Sequence, residues 1–110
     1  MPVVHIMADQ RISWETTHKI KALGQLIDYT PEQIWIVTED GMRQNDVAFV
    51  LVMAMAEDVK KMGFAEFCDN IGKIMRQDLG KSVEVALPGN CCVQPLSWSA
   101  TTEGADRYGP

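Results

Sequence analysis

An α/β (α+β) domain is the fold that this sequence predicts: two β-α-β units forming one four-stranded mixed sheet with two helices on one face. Three observations carry that expectation. Apolar runs of strand length fall at residues 3–8, 33–38, 47–56 and 82–87. Helically spaced stretches separate the first run from the second and the third from the fourth. Between the halves lies a polar turn from Asp40 and Gly41 to Asn45 and Asp46.

The first run has His5 as its one polar member and reads as a buried strand. Asp9, Gln10 and Arg11 break it, and Ser13 is placed to cap a helix whose first turn holds Glu15, where an acid is favourable. Ile20, Leu23, Leu26 and Ile27 share one helical face. Thr30 before Pro31 is expected to end that helix, because a residue preceding proline avoids α geometry. In the second run Ile34, Trp35, Ile36 and Val37 are continuous, as expected of a strand with both faces covered. Residues 47–56 are uninterrupted apolar and read as the central strand. Glu57 and Asp58 follow where a helix start favours negative charge. Phe64, Phe67, Cys68, Ile71, Ile74, Met75 and Leu79 keep helical spacing, Gly63 divides off a short turn before them, and Gly80 is a left-handed stop. Residues 82–87 alternate, Val83, Val85 and Leu87 on one side and Ser82, Glu84 and Ala86 on the other, as in a strand with one exposed face.

Pro88, Gly89 and Asn90 turn the chain. At 110 residues the chain is one domain, with the double unit in residues 1–90 and a C-terminal extension in 91–110. Within that extension, residues 91–98 suit a short interface strand and the polar remainder a loose tail. A chain of this size buries roughly two thirds of its unfolded surface, enough for a core but not for a deep private cavity. A site is therefore expected at an open edge or a subunit boundary.

Composition excludes several roles. The net charge is −5, from 15 acidic and 10 basic side chains, and no basic run exceeds the pair Lys60 and Lys61. Displacing phosphate counterions needs a basic stripe, so no nucleic-acid partner is expected. The longest apolar run is half the length of a membrane-spanning helix, and no basic-then-apolar leader opens the chain, which makes the cytoplasm the expected location with no membrane partner. Three cysteines, Cys68, Cys91 and Cys92, make no disulfide framework. No Cys-x-x-Cys or histidine spacing accompanies the vicinal pair, so no metal is expected. Without a glycine-rich phosphate loop or a nucleophile elbow, no cofactor is expected either.

Pro2 admits two readings. A proline that opens a strand simply lacks a donor the ladder does not need. If Met1 is removed, however, Pro2 presents a secondary amine at the chain terminus. A free α-amino group titrates near pH 8, and a low dielectric or a nearby cation lowers that value toward neutrality. Such an amine is a good general base for a proton next to a carbonyl. Arg11 is either a solvated loop residue or a bidentate partner for a carboxylate. Arg43, in the central turn, is a second candidate cation. Trp35 and Glu39 complete the substrate-binding candidates, Glu39 with Asp40 as an acid or water-activating pair. His5 is expected in the core beside a backbone partner and His18 on the helix surface, while Trp14, Trp35 and Trp98 are expected in packing or interfaces.

The opening Met1-Pro2-Val3-Val4-His5-Ile6, Arg11 just after the first strand, and the run from Thr30-Pro31 to Thr38-Glu39 resemble the tautomerase superfamily, which includes 4-oxalocrotonate tautomerase and macrophage migration inhibitory factor. That resemblance implies a homotrimer with the sheets inside and sites at subunit interfaces. It also implies Pro2 as the base, Arg11 as the cation for a carboxylate or enolate, and a small keto or enol carboxylate as substrate. The same element order also occurs in ferredoxin-like and dimeric α+β barrel modules with different strand pairing. A chain of that kind would be a homodimer binding a small apolar molecule or a partner, without chemistry at its N-terminus.

Overall fold

In the computed structural model, residues 3–44, 46–87 and 96–100 are described, the last group by its backbone alone. The order of elements is β1 (Val4–Asp9), α1 (Trp14–Ala22), β2 (Ile34–Glu39), β3 (Arg43–Gln44), β4 (Val47–Met53), α2 (Ala56–Val59), α3 (Phe64–Leu79), β5 (Ser82–Leu87) and β6 (Leu96–Ala100). The sheet runs β2-β1-β4-β5-β6, and β3 pairs with β4 off that path.

Each β-α-β unit closes on itself. β1 pairs with β2 in parallel, with Val4 opposite Ile34 and Asp9 opposite Glu39. β4 pairs with β5 in parallel, and β1 and β4 join the halves antiparallel through His5–Met53 and Met7–Leu51. A ferredoxin-like split unit would put another strand between β1 and β2. Their direct hydrogen bonding rules out that alternative architecture. The sheet is mixed, as expected, and has six strands rather than four, because the short β3 pairs with β4 and β6 pairs antiparallel with β5, Val85 opposite Trp98.

The alternation in the strands decides which face is covered. Val4, Ile6 and Ala8, Ala48, Val50 and Val52, and Val83, Val85 and Leu87 are all buried, in one cluster with Ile20 and Ile27 and with Phe64, Phe67, Ile71 and Met75 of α3. Helices therefore cover one face, as expected. Ser13 caps α1 by accepting from the Thr16 N–H, and Gly80 ends α3 at φ +68°. Gly63 precedes α3 with its Cα against the Leu26 carbonyl, where a β-carbon would come within 1.9 Å of the oxygen.

Several expectations need correction. β2 is an edge strand, and Trp35 and Val37 are 56% and 43% exposed, so only its helix-facing side is covered. The apolar run starting at Val47 leaves the sheet after Met53, and Ala56 opens α2 instead. His5 is exposed and lies 5.8 Å from the Trp35 ring, because alternation turns it away from the helices. Trp14 is also largely exposed, against His18. Thr30–Pro31 does not terminate the helix; the chain leaves it at Asp28 in a left-handed turn, and Pro31–Gln33 forms a capped 3-10 turn into β2. The expected turn at residues 88–90, and Cys91 and Cys92, lie outside the described residues.

Candidate functional site

Strand geometry separates the chemical groups into two clusters at opposite ends of β1. Five residue steps from Val4 to Asp9 span about 17 Å at the usual strand rise. The chain reaches Val4 from residue 2, which itself lies outside the described residues. Arg11 follows Asp9 at the far end.

At the far end the backbone is pinned at four successive residues. The N–H of Gln10 donates to the Glu39 carbonyl, that of Arg11 to Asp9 Oδ1 at 2.9 Å, that of Ile12 to the Asp9 carbonyl, and that of Ser13 to Asp78 Oδ2 at 2.7 Å. Arg11 thus stands on a fixed turn joining β1 to the end of α3. Its Nε also donates to Asp9 Oδ1 at 3.1 Å, although the side chain is 43% exposed. Asp9 is 2% exposed, and its Oδ2 finds no partner among the described residues. Burial pushes the Asp9 carboxyl up, but hydrogen bonds from Arg11 and the charges of Arg11 and Arg43 outweigh it and hold the group below its ordinary value.

Arg43 arrives by way of β4. β1 lies against Leu51 to Met53 of β4, while Arg43 lies against Ala48, and the Phe49 N–H donates to the Met42 carbonyl. β3 therefore continues along β4 where β1 stops, which brings Arg43 toward Asp9. Glu39 sits opposite Asp9 in the ladder and is exposed. Three sequence candidates, Arg11, Arg43 and Glu39, share this end of the sheet. Trp35 does not; paired with His5, it stands near the head of β1 on the face away from the helices.

The head of β1 is flanked by a second polar group, absent from the sequence expectations. Asp58 is fully buried and accepts from the Tyr29 hydroxyl at 2.5 Å. Lys61 Nζ lies 3.5 Å from Asp58 Oδ1, donates to the Ile27 carbonyl at 3.0 Å and sits 4.2 Å above the Tyr29 ring. Burial, then the Asp58 hydrogen bond and charge, push the Tyr29 hydroxyl up to about 12. These groups join α2 to the chain before β2 through Asp58 Oδ1, while Asp58 Oδ2 has no partner among the described residues. Their role is to hold the connections around the start of β1.

Elsewhere among the described residues nothing competes with these ends. Cys68 is buried in α3, and burial pushes its thiol up to about 12, which withdraws the thiolate needed for nucleophilic chemistry. Among the described residues no group of three or more His, Cys, Asp or Glu side chains could hold a metal ion, and no helix is long and apolar enough to cross a membrane.

The missed residues carry weak sequence signals. Asp9 alternates with His5 and Met7 and stands two residues before Arg11, a spacing at which a carboxylate can fold onto the next turn. Asp58 looks like an ordinary acid in a first helical turn. Its partner Tyr29 is 29 residues away and has no sequence mark.

No protein-family model and no curated protein matches the chain. Among solved structures, a macrophage migration inhibitory factor-like protein from Entamoeba histolytica superposes with a TM-score of 0.54 at 12% identity, covering 88% of this chain and 98% of that one. A member of the cis-3-chloroacrylic acid dehalogenase family gives a TM-score of 0.43 at 9% identity, over 96% of this chain and 90% of that one. The first likeness establishes the fold, which is the one that the resemblance to the tautomerase superfamily implies.

Proposed function

We propose that the protein is a cofactor-independent isomerase of the tautomerase type, moving a proton within a small keto or enol carboxylate. Met1 is removed, Pro2 takes the proton from carbon and returns it, and Arg11 holds the substrate's negative charge. What supports this reading is the fold shared with a macrophage migration inhibitory factor-like protein, together with the start of β1 at Val4, two residues after Pro2 in the sequence.

The length of β1 adds a constraint. Residue 2 lies two steps before Val4, and the Arg11 side chain is tied to Asp9 about 17 Å beyond it. No small substrate bridges both within one chain. On this reading the active site is composite: Pro2 and Trp35 come from one subunit, and Arg11, Arg43 and Glu39 from its neighbour.

The uncovered sheet face supports assembly. Its middle row sets Met7 beside Val37 and Leu51, and Leu51 beside Ala86, with Phe49 and Met53 half-buried on the same side. An apolar sheet face left against water marks an interface. A homotrimer with these faces inside is the assembly we favour, and a homodimer the alternative.

The test is subunit complementation with phenylpyruvate or 2-hydroxymuconate as substrate. Pro2→Ala and Arg11→Ala are each expected to be inactive. When the two variants are co-refolded in equal amounts, about one quarter of the sites recover both groups by random mixing within a closed ring. An active Pro2→Ala protein would refute the base. Failure to complement would refute the shared site. Intact mass reads the loss of Met1 directly.

A further inference from the structure

We propose that Asp9 is a positioning residue, whose buried carboxylate fixes Arg11 so that its two terminal amino groups are left to bind a substrate carboxylate beside Arg43. This rests on the isomerase reading for the substrate class, but on the geometry of the turn for the role.

Three of the four N–H groups that pin the turn do not rest on the Asp9 side chain. Gln10, Ile12 and Ser13 are held by the Glu39 carbonyl, the Asp9 carbonyl and the Asp78 carboxylate. Among the described residues the Asp9 side chain accepts hydrogen bonds only from Arg11, once through the backbone N–H and once through Nε. An arginine held by Nε keeps its planar fork in one orientation while Nη1 and Nη2 remain for a ligand, and bidentate recognition of a carboxylate needs that fork fixed. A lysine here could supply the charge but not the arrangement.

Burial makes the anchor firm. Asp9 is 2% exposed, so water does not compete for its oxygens as it does in an ordinary surface ion pair. Two arginine charges act on this one acid, and Glu39, opposite in the ladder, is exposed and solvated. Arg11 and Arg43 against Asp9 alone leave one positive charge, which the exposed Glu39 offsets through water, although the chain as a whole carries −5. A double positive charge without Asp9 would leave Arg11 free to swing into solvent.

The test separates positioning from stability and from the isomerase reading itself. Phenylpyruvate binding is measured in the Pro2→Ala background, where no turnover is expected, and KM and kcat are measured with Pro2 intact. Asp9→Ala is expected to weaken binding roughly tenfold and to raise KM more than it lowers kcat, whereas on the Arg11→Ala background it changes binding less than about twofold. Asp9→Asn keeps an acceptor for the N–H but loses the ion pair, and gives a smaller loss, roughly threefold, with the same dependence on Arg11. If Asp9→Ala does not fold, the Asn variant carries the same comparison. A lowered Tm with unchanged binding, an equal loss with Arg11 already removed, or no phenylpyruvate binding by the unmutated site would each overturn the proposal. Activity surviving Pro2→Ala would sink only the base, since binding still reports on Asp9.

Discussion

Replacing Tyr29 by Phe removes one hydroxyl from the cluster around Asp58, the most deeply buried polar side chain among the described residues. Asp58 is 0% exposed and has two partners, the Tyr29 hydroxyl at 2.5 Å and Lys61 Nζ at 3.5 Å, while its Oδ2 has none among the described residues. The phenylalanine ring keeps the packing and the face under Lys61, so what is lost is a buried hydrogen bond to a carboxylate, about 2 kcal/mol. With an unfolding entropy of about 2.1 cal/mol/K per residue, that loss lowers Tm by roughly 9 °C at fixed protein concentration. The pH dependence gives an independent check. The Tyr29 hydroxyl is raised from 10.0 to about 12 in the folded state, so its contribution is complete below pH 10 and disappears as pH rises through 12. Two pH units correspond to about 2.7 kcal/mol. Urea unfolding between pH 8 and 12 should therefore show the gap between the native chain and Tyr29→Phe closing over that range. A variant within 0.5 kcal/mol of the native chain, or a gap constant to pH 12, would refute the argument.

Other predictions follow from single contacts. Gly63→Ala sets a β-carbon 1.9 Å from the Leu26 carbonyl oxygen, which neither backbone can accommodate in place, and should cost about 3 kcal/mol in urea unfolding. Asp9 is held below its ordinary value, so its contribution is present above about pH 4 and is lost as pH falls; Asp9→Asn should flatten the acid limb of the stability curve in thermal melts from pH 2 to 5. Val37→Lys changes a side chain 43% exposed on the open face, so it should leave the subunit folded by circular dichroism and shift light scattering to the monomer.

Most of the architecture was legible because its residues announce themselves locally. Ser13 and Gly80 mark helix ends by capping chemistry, and the alternation of residues 82–87 identifies a strand with one covered face. What stayed hidden depends on pairing. The run of Ile34 to Val37 looks like a strand covered on both sides, yet order β2-β1-β4-β5-β6 puts it at the edge, where hydrophobicity serves a different purpose. His5 was expected inward for the same reason: a run of apolar neighbours conceals which side the helices cover. Arg11 and Arg43 were each visible as cations. That both act on one buried carboxylate follows only from β3 continuing along β4 beyond the end of β1, a relation between residues 34 positions apart in the chain.

The two ends of β1 impose a logic on the whole molecule. On the proposed reading, a base at the head of a strand gains nothing from a cation at its tail unless another copy brings head and tail together, and the apolar middle row of the open face would supply the force to do so. Met7, Val37 and Leu51 lie between those ends, so in the proposed assembly contact across that row would also set the spacing from one subunit's head to the next one's tail. Assembly and chemistry should then be lost together. A substitution in the middle row that touches neither Pro2 nor Arg11 should abolish activity in proportion to the monomer it produces, which no single-subunit site would do.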